Sequence, residues 1–429
     1  MAVIVLAVLA SLSIAMIVFS GFSLAKSENG LAVQRAQLAA ESGLDFTGQL
    51  LGQCSVSPGA TGSALADSLA AELQALLDGS GNLSGAAIVY ADGSICIPQI
   101  SLGGTMSFQA QITVPQRRVI HVTVTGYDQQ GHQVARTVRM NYTTTFQLDS
   151  AMLSKGPIVI NNEMSLLSVG NDYDASMTSM ASGDAISFSG DSTISGDLSL
   201  TDPLAKVVTT ATLTVGGTIA KGVEDVGFPE FDTSELLAVP LTTISSSTLE
   251  GTSYSNIRIK AGTNPVFDTA VAIKGVMYVE SPNVVTFDGA TTLAGAIITE
   301  TPPETANPAE HKIVFDCDIA FQEPSTLPDE PKYAAVRRLS GSYILAEGFS
   351  VRTVNNAEGP IGVLAADQIY TQNRIRSKLY GAIMAYDTGG IFISDDSAVT
   401  VDRANWNAGK LIDNQLVPLP DTYEEVTAP

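Results

Sequence analysis

The sequence predicts a mainly β protein with a long N-terminal α-helix, in which the helix carries an α+β head that is followed by a parallel β-helix, or solenoid. Three observations carry that expectation. The first 53 or so residues hold no proline and keep an apolar pattern at helical spacing. Between Arg117 and Phe146 two alternating runs flank "YDQQGH", a hairpin signal with glycine in the loop. Beyond Lys155 the texture changes to short apolar runs rich in Gly, Ser, Thr and Val, punctuated by turn residues and recurring with a period near 20.

The helix comes first. Residues 1–25, apart from Met1 the uncharged run Ala2–Ala25 with "VIVLAVLASLSIAMIVFSGFSLA", are long enough to cross a bilayer core at helical rise. A cleaved secretory signal would show a basic start and a shorter apolar core, whereas Met1 leads straight into apolar residues, as at a processed N-terminus or a start inside the original segment. After Lys26 the positions Leu31, Val33, Leu38, Leu44, Phe46 and Leu50 extend the helix toward Gln53, roughly 80 Å in all. That is more than twice the membrane thickness, so the outer half must pack against something.

An apolar span passing into an amphipathic helix that carries Ala39, Ala40, Glu41, Ser42, Gly43 and Leu44 resembles the N-terminal region of type IV pilin-like proteins, in particular the PilX-type minor pilins and the pseudopilins. The resemblance covers residues 1–53 and extends weakly to 150. It implies a pilin-like head, other pilin-like subunits as partners through the helix, handling by a prepilin peptidase and pilus assembly machinery, and an assembly surface at Leu38, Ala39, Ala40, Glu41, Gly43, Leu44 and Phe46. Most major pilins carry an acid early in the apolar span. This chain has none before Glu28, which favours a minor or tip subunit.

The head is expected over residues 26–154. It holds a second helix, "SALADSLAAELQALLDG" (Ser63–Gly79), then strands. Cys54 and Cys96 both fall in it, and outside the cytosol they are candidates for a disulfide worth on the order of 4 kcal/mol; the alternative is two buried thiols. Cys317 is left over as a core residue.

The solenoid is expected over residues 155–405. Glycines opening "GVMYVE" (Gly275), "GAIITE" (Gly295), "GSYILAE" (Gly341), "GVLAAD" (Gly362) and "GAIMAYD" (Gly381) align, with two proline-rich interruptions between Gly295 and Gly341, and Gly196 and Gly217 form an earlier pair. Such units cannot bury their apolar faces alone and must stack. The acids closing the units stack with them: Glu280 on Glu300, and Glu347, Asp367 and Asp387 in a column that is either a solvated corner or, less simply, a calcium site. Residues 406–429, with the proline-rich acidic end "QLVPLPDTYEEVTAP", read as a cap or loose tail, and Trp406 as a plug for the last turn.

Charge and chemistry narrow the function. There are 44 acids against 22 bases, a formal charge of -22; residues 1–150 hold nine acids and six bases, so nearly all the excess lies beyond them. That balance argues against nucleic acid and anionic lipid as ligands. His121, His132 and His311 show no metal-ligand spacing, and "DGSGNLSG" (Asp78–Gly85) lacks the later acid of a calcium loop. Asp367, Arg374, Arg376, Lys378 and Asp387 are the residues an acidic-polysaccharide lyase would need, but mixed charges on a solvated face are the simpler explanation. The expectation is therefore a non-enzymatic, cofactor-free subunit, anchored by one N-terminal helix with its bulk outside the cytoplasm. It would display its β-helix from a filament for adhesion, with a surface glycan or protein as ligand. An anchored carbohydrate-active enzyme and a non-filamentous stalk protein are the competing readings.

Overall fold

The computed structural model describes residues 2–54, 56, 62–83, 86–116, 119–129, 134–144, 148–247, 249, 251–303, 305–409, 411–412 and 415–426, with side chains in these except at 2–11, 14, 15, 25, 64, 89 and 116. The chain forms two compact units, Met1–Val56 with Thr61–Thr145 and Gln415–Pro429, and Phe146–Asn414. It is mainly β with one long N-terminal helix.

In the first unit, α1 runs unbroken over Ala2–Leu51, about 75 Å, because no proline or left-handed glycine interrupts it. The second helix, α2 (Gly62–Leu77), buries Leu65, Leu69, Leu73 and Leu77 at helical spacing and stops at Gly79, whose φ is +74°. Strands β1 (Val89–Ala91), β2 (Ser94–Gly103), β3 (Met106–Gln116), β4 (Val119–Asp128) and β5 (Val134–Thr144) form an antiparallel sheet in chain order. Strand β4 alternates strictly between buried and half-buried, so Ile120, Val122, Val124, Gly126 and Asp128 share the helix side while the residues between them face out.

The sheet's sixth strand corrects the expected tail. Leu416–Val426 pairs antiparallel with β5, with Leu416 opposite Thr144 and Val426 opposite Thr137. Pro418 and Pro420 mark it as an edge strand, where a missing N–H breaks no ladder.

In the second unit, short strands pair in parallel with strands about one repeat away, giving three columns. One column runs through Ile298, Leu345, Ala365, Met384, Leu153 and Thr178. The second runs through Val314, Arg352, Tyr370, Phe392, Val159 and Ser187. The third runs through Glu358, Arg376, Ala398, Ser165 and Thr193. The glycines aligned in the sequence stand on one another: Gly275 pairs with Gly295, the Gly381 N–H donates to the Gly362 carbonyl, and that of Gly217 donates to Gly196. Inside, Phe267, Phe287 and Phe315 stack at 4.6 and 4.8 Å, nearly parallel.

The order of stacking is not the order of the chain. Residues 383–401 pair with residues 152–168, so the last pass of the chain lies against the first. From there, passes through 184–200 and 206–221 build in one direction, and the passes between 242 and 401 build up from the far end. A second apolar cluster covers the outside of the first column. It draws Tyr333, Val336 and Leu339 from the insertion between Phe321 and Ser342, Leu236 from the crossing at 222–241, and Trp406. Trp406 therefore caps a face, not the end of the stack: its indole N–H donates to the Tyr343 hydroxyl at 2.8 Å.

Candidate functional site

The stripe expected to drive assembly divides between two sides of α1. Ala36, Ala39, Ala40 and Leu44 are buried. They recur at three- and four-residue spacing, so they form one face. Small side chains there let the helix lie almost on the sheet. A β-carbon on Gly43 would come within 2.5 Å of the Phe108 ring, and one on Gly126 of β4 would come within 2.2 Å of the Ala40 nitrogen and 2.3 Å of the Ala36 carbonyl oxygen. Phe46 packs edge-on against Phe108 at 5.7 Å, and the Thr47 hydroxyl donates back to the Gly43 carbonyl at 2.7 Å. Glu41 sits at the flank, accepting from the Gln37 amide at 2.9 Å and from the Tyr423 hydroxyl at 3.4 Å. Leu38 points the other way and is 57% exposed, as is Leu31 at 47%.

Sequence reasoning missed Gly126 and Tyr423. Gly126 had a readable signal, a glycine inside the alternating run "HVTVTGYD", which marks a close backbone approach. Tyr423 had none, because its role depends on the C-terminal strand returning to this sheet.

The Cys54–Cys96 bridge is not formed; all three cysteines are free thiols. Alternation along β2 decides it: Ile95 and Ile97 point inward and are fully buried, which turns Cys96 outward, whereas Cys54 is buried at the end of α1. Cys54 donates to the Leu50 carbonyl at 3.4 Å, and burial, with Glu72 nearby, pushes its thiol up to about 12. Burial also raises the Cys317 thiol, which bonds Thr291.

The acids that close the repeats act as caps. Glu280 accepts the Ala261 N–H at 2.9 Å, Glu300 that of Ser281 at 3.0 Å, and Asp367 that of Gly348 at 2.8 Å, each reaching back 19 residues to the neighbouring pass. Asp191 and Asp197 reach the other way, accepting the N–H groups of Thr212 and Thr218 on the pass 21 residues ahead. Part of the chain's acidity is thus structural: a carboxylate at a corner satisfies an amide the ladder leaves over. At the Glu347, Asp367 and Asp387 corner, burial and then the neighbouring carboxylate raise Glu347. Burial also raises Asp367, with Asp387 adding to it and the Gly348 bond opposing. Lys155 offsets both and also lies 5.2 Å over the Phe228 ring. Among the described residues no group of three or more His, Cys, Asp or Glu side chains is placed to hold a metal ion.

The charged set considered for lyase chemistry is dispersed. Asp367 and Asp387 lie near the junction of the first and second columns, while Arg376 and Lys378 belong to the third. Lys378 is paired with Asp402 at 2.6 Å, and Arg376 borders a 600 Å³ groove with Glu163, Asp191 and Asp396. His121 lies opposite Thr113 and Asn141, and His132 is outside the described residues. His311 is buried, with Nδ1 donating to the Asn307 carbonyl at 2.8 Å and Nε2 accepting from Ser281 at 2.9 Å. Asp78 to Gly81 is the turn that ends α2, and the Ser80 hydroxyl donates to the Leu77 carbonyl.

No protein-family profile matches the chain, and no curated protein does. Among solved structures, a match is the competence-associated pilin ComZ from Thermus thermophilus, at 10% identity over 92% of this chain and 97% of that one. The TM-score is 0.30, too low to establish a shared fold.

Proposed function

We propose that this chain is a membrane-inserted, pilin-like subunit, minor or at the tip, of a type IV pilus or pseudopilus-type filament, and that it displays the second unit as a parallel β-helix for adhesion. The observation that carries the reading is how α1 changes along its length. Around residues 36–44 its small-residue face is filled by its own sheet, whereas every described side chain from 12 to 30 is exposed, Met16, Ile17, Phe19, Phe22 and Leu24 among them, and Leu31 and Leu38 stay exposed further on. Large apolar side chains exposed all round one helix need a bilayer or other helices around them, at roughly 25 cal/mol per Å² of apolar surface. Among the described residues no helix is long and apolar enough to cross a membrane; the proposed span lies mostly in residues 2–25, where many side chains are not described.

The test is to shear surface filaments from cells producing the full chain, label them with antibody to the second unit, and view them by electron microscopy. Labelling at filament ends or sparse sites is expected. A chain found only in the soluble fraction, or unlabelled filaments beside abundant cell-associated protein, would overturn the proposal.

A further inference from the structure

The three columns present different chemistry outward. The first is covered by the chain's own apolar cluster, and the third carries hydroxyls with Glu358 and Arg376. The second keeps Arg352 exposed and Tyr370 and Phe392 half-buried, one above the next in register. The Arg352 guanidinium lies 5.8 Å over the Tyr370 ring, and the Tyr370 and Phe392 rings are 6.3 Å apart. Two residues back along the same strands, Lys312, Ser350 and Gln368 form a parallel row. That row ends at Gly390, which has no side chain and leaves a step beside Phe392. The segments 311–315, 350–353, 368–371, 390–393 and 158–160 carry Arg352 exposed and Lys312 half-buried and no carboxylate of their own, while Glu347, Asp367 and Asp387, on the same strands, line the corner toward the first column.

We propose that this face binds an acidic glycan, a chain of uronate-containing pyranoses lying along the stack; the assignment rests on the display reading above and names its ligand class. The C–H faces of pyranose rings pack against aromatic rings, here Tyr370 and Phe392. A uronate carboxylate takes the planar fork of Arg352, with Lys312 as a second charge, and ring hydroxyls bond Ser350 and Gln368. Successive side chains repeat about every 4.8 Å along the stack. That is close to the length of one pyranose unit in an extended chain, so neighbouring sugars meet neighbouring passes. A nucleic acid also stacks on aromatic rings, but its affinity comes from many phosphate contacts, and two cations on a strongly acidic chain do not supply them.

The test titrates the full chain in detergent with polygalacturonate, dextran and oligo-dT, beside Arg352→Ala and Tyr370→Ala variants whose melting is checked by circular dichroism. Saturable binding of polygalacturonate is expected, at least tenfold tighter than dextran, and weakened at least tenfold by either substitution while the fold is kept. Absence of polygalacturonate binding, equal binding of dextran, unchanged binding by the variants, or binding of oligo-dT in its place would each overturn the proposal. None of these results bears on filament labelling, so the glycan assignment fails separately from the display reading. Should a variant not fold, Arg352→Lys, which keeps the charge and loses the planar fork, serves in its place with the same expected direction.

Discussion

Gly126→Ala puts the helix-to-sheet contact under direct test. The added methyl would stand 2.2 Å from the Ala40 nitrogen and 2.3 Å from the Ala36 oxygen, both backbone atoms that no rotamer change can move. An ordinary carbon contact begins near 3.5 Å, so α1 must withdraw by about 1.2 Å or β4 must bend away. A gap of that size forfeits a large part of the dispersion well for Ala36, Ala39, Ala40 and Leu44 together, and overpacking of this kind costs about 3 kcal/mol. Hydrogen exchange on the full chain in detergent would read this as a roughly hundredfold loss of protection for amides 36–44. The second unit, whose strands do not include β4, should keep its protection. Gly30→Ala is the control, since nothing lies within 4 Å of the position and a helix gains about 1 kcal/mol from the exchange. Unchanged protection of 36–44 in Gly126→Ala would refute the claim that small residues exist here to bring the two backbones together.

Asp367→Asn should raise the melting temperature by roughly 2 °C at pH 7, because the amide still accepts the Gly348 N–H and the repulsion from neighbouring carboxylates is gone. A raised folded pKa gives stability that is present below the ordinary carboxylate range and lost as pH rises through the raised value, so the variant's advantage should disappear on acidification; an advantage equal at both pH values would contradict this. Phe287→Ala removes the middle ring of a stacked trio and should cost about 4 kcal/mol, read by urea unfolding followed through strand circular dichroism. A loss under 1 kcal/mol would mean that the stack is not a packed core. Under native conditions a maleimide should label Cys96 and spare Cys54 and Cys317, with all three reacting in denaturant; mass spectrometry finding a Cys54–Cys96 bridge would overturn the free-thiol assignment.

What was legible in the sequence was whatever local pattern determines. The proline-free run predicts α1, and the repeating Gly–apolar–acid unit predicts which glycines and acids meet. Faces were harder. Loop length made a Cys54–Cys96 bridge attractive, but only the phase of β2, set by Ile95 and Ile97, says that Cys96 turns outward. The acids of the lyase-like set are near in sequence to its bases, yet a chain that turns a corner every six or so residues puts them on different faces. "LVPLPDTYEEV" looked like a loose end because two prolines exclude a central strand. They do not exclude an edge, and that distinction depends on a partner strand more than 270 residues earlier.

The stacking order is the feature least open to sequence reasoning, and it explains how the two units share one chain. Nothing local distinguishes the pass at 152–168 from one that follows its neighbours in sequence. Its partner on one side is 383–401, the last pass of the chain. A strictly sequential stack would leave its first and last strands at opposite ends. Starting in the middle, building outward to 221, crossing along one face and returning from the far end brings the two ends of the unit together. Arg403, just after the last pass, donates to the carbonyl of Leu148, just before the first, and lies 4.0 Å from Asp174. The unit therefore begins and ends at one place, as an insertion into another fold requires. The strand after it, Leu416–Val426, can then pair with β5, the strand before it, and the first unit closes its sheet with residues from both ends of the chain.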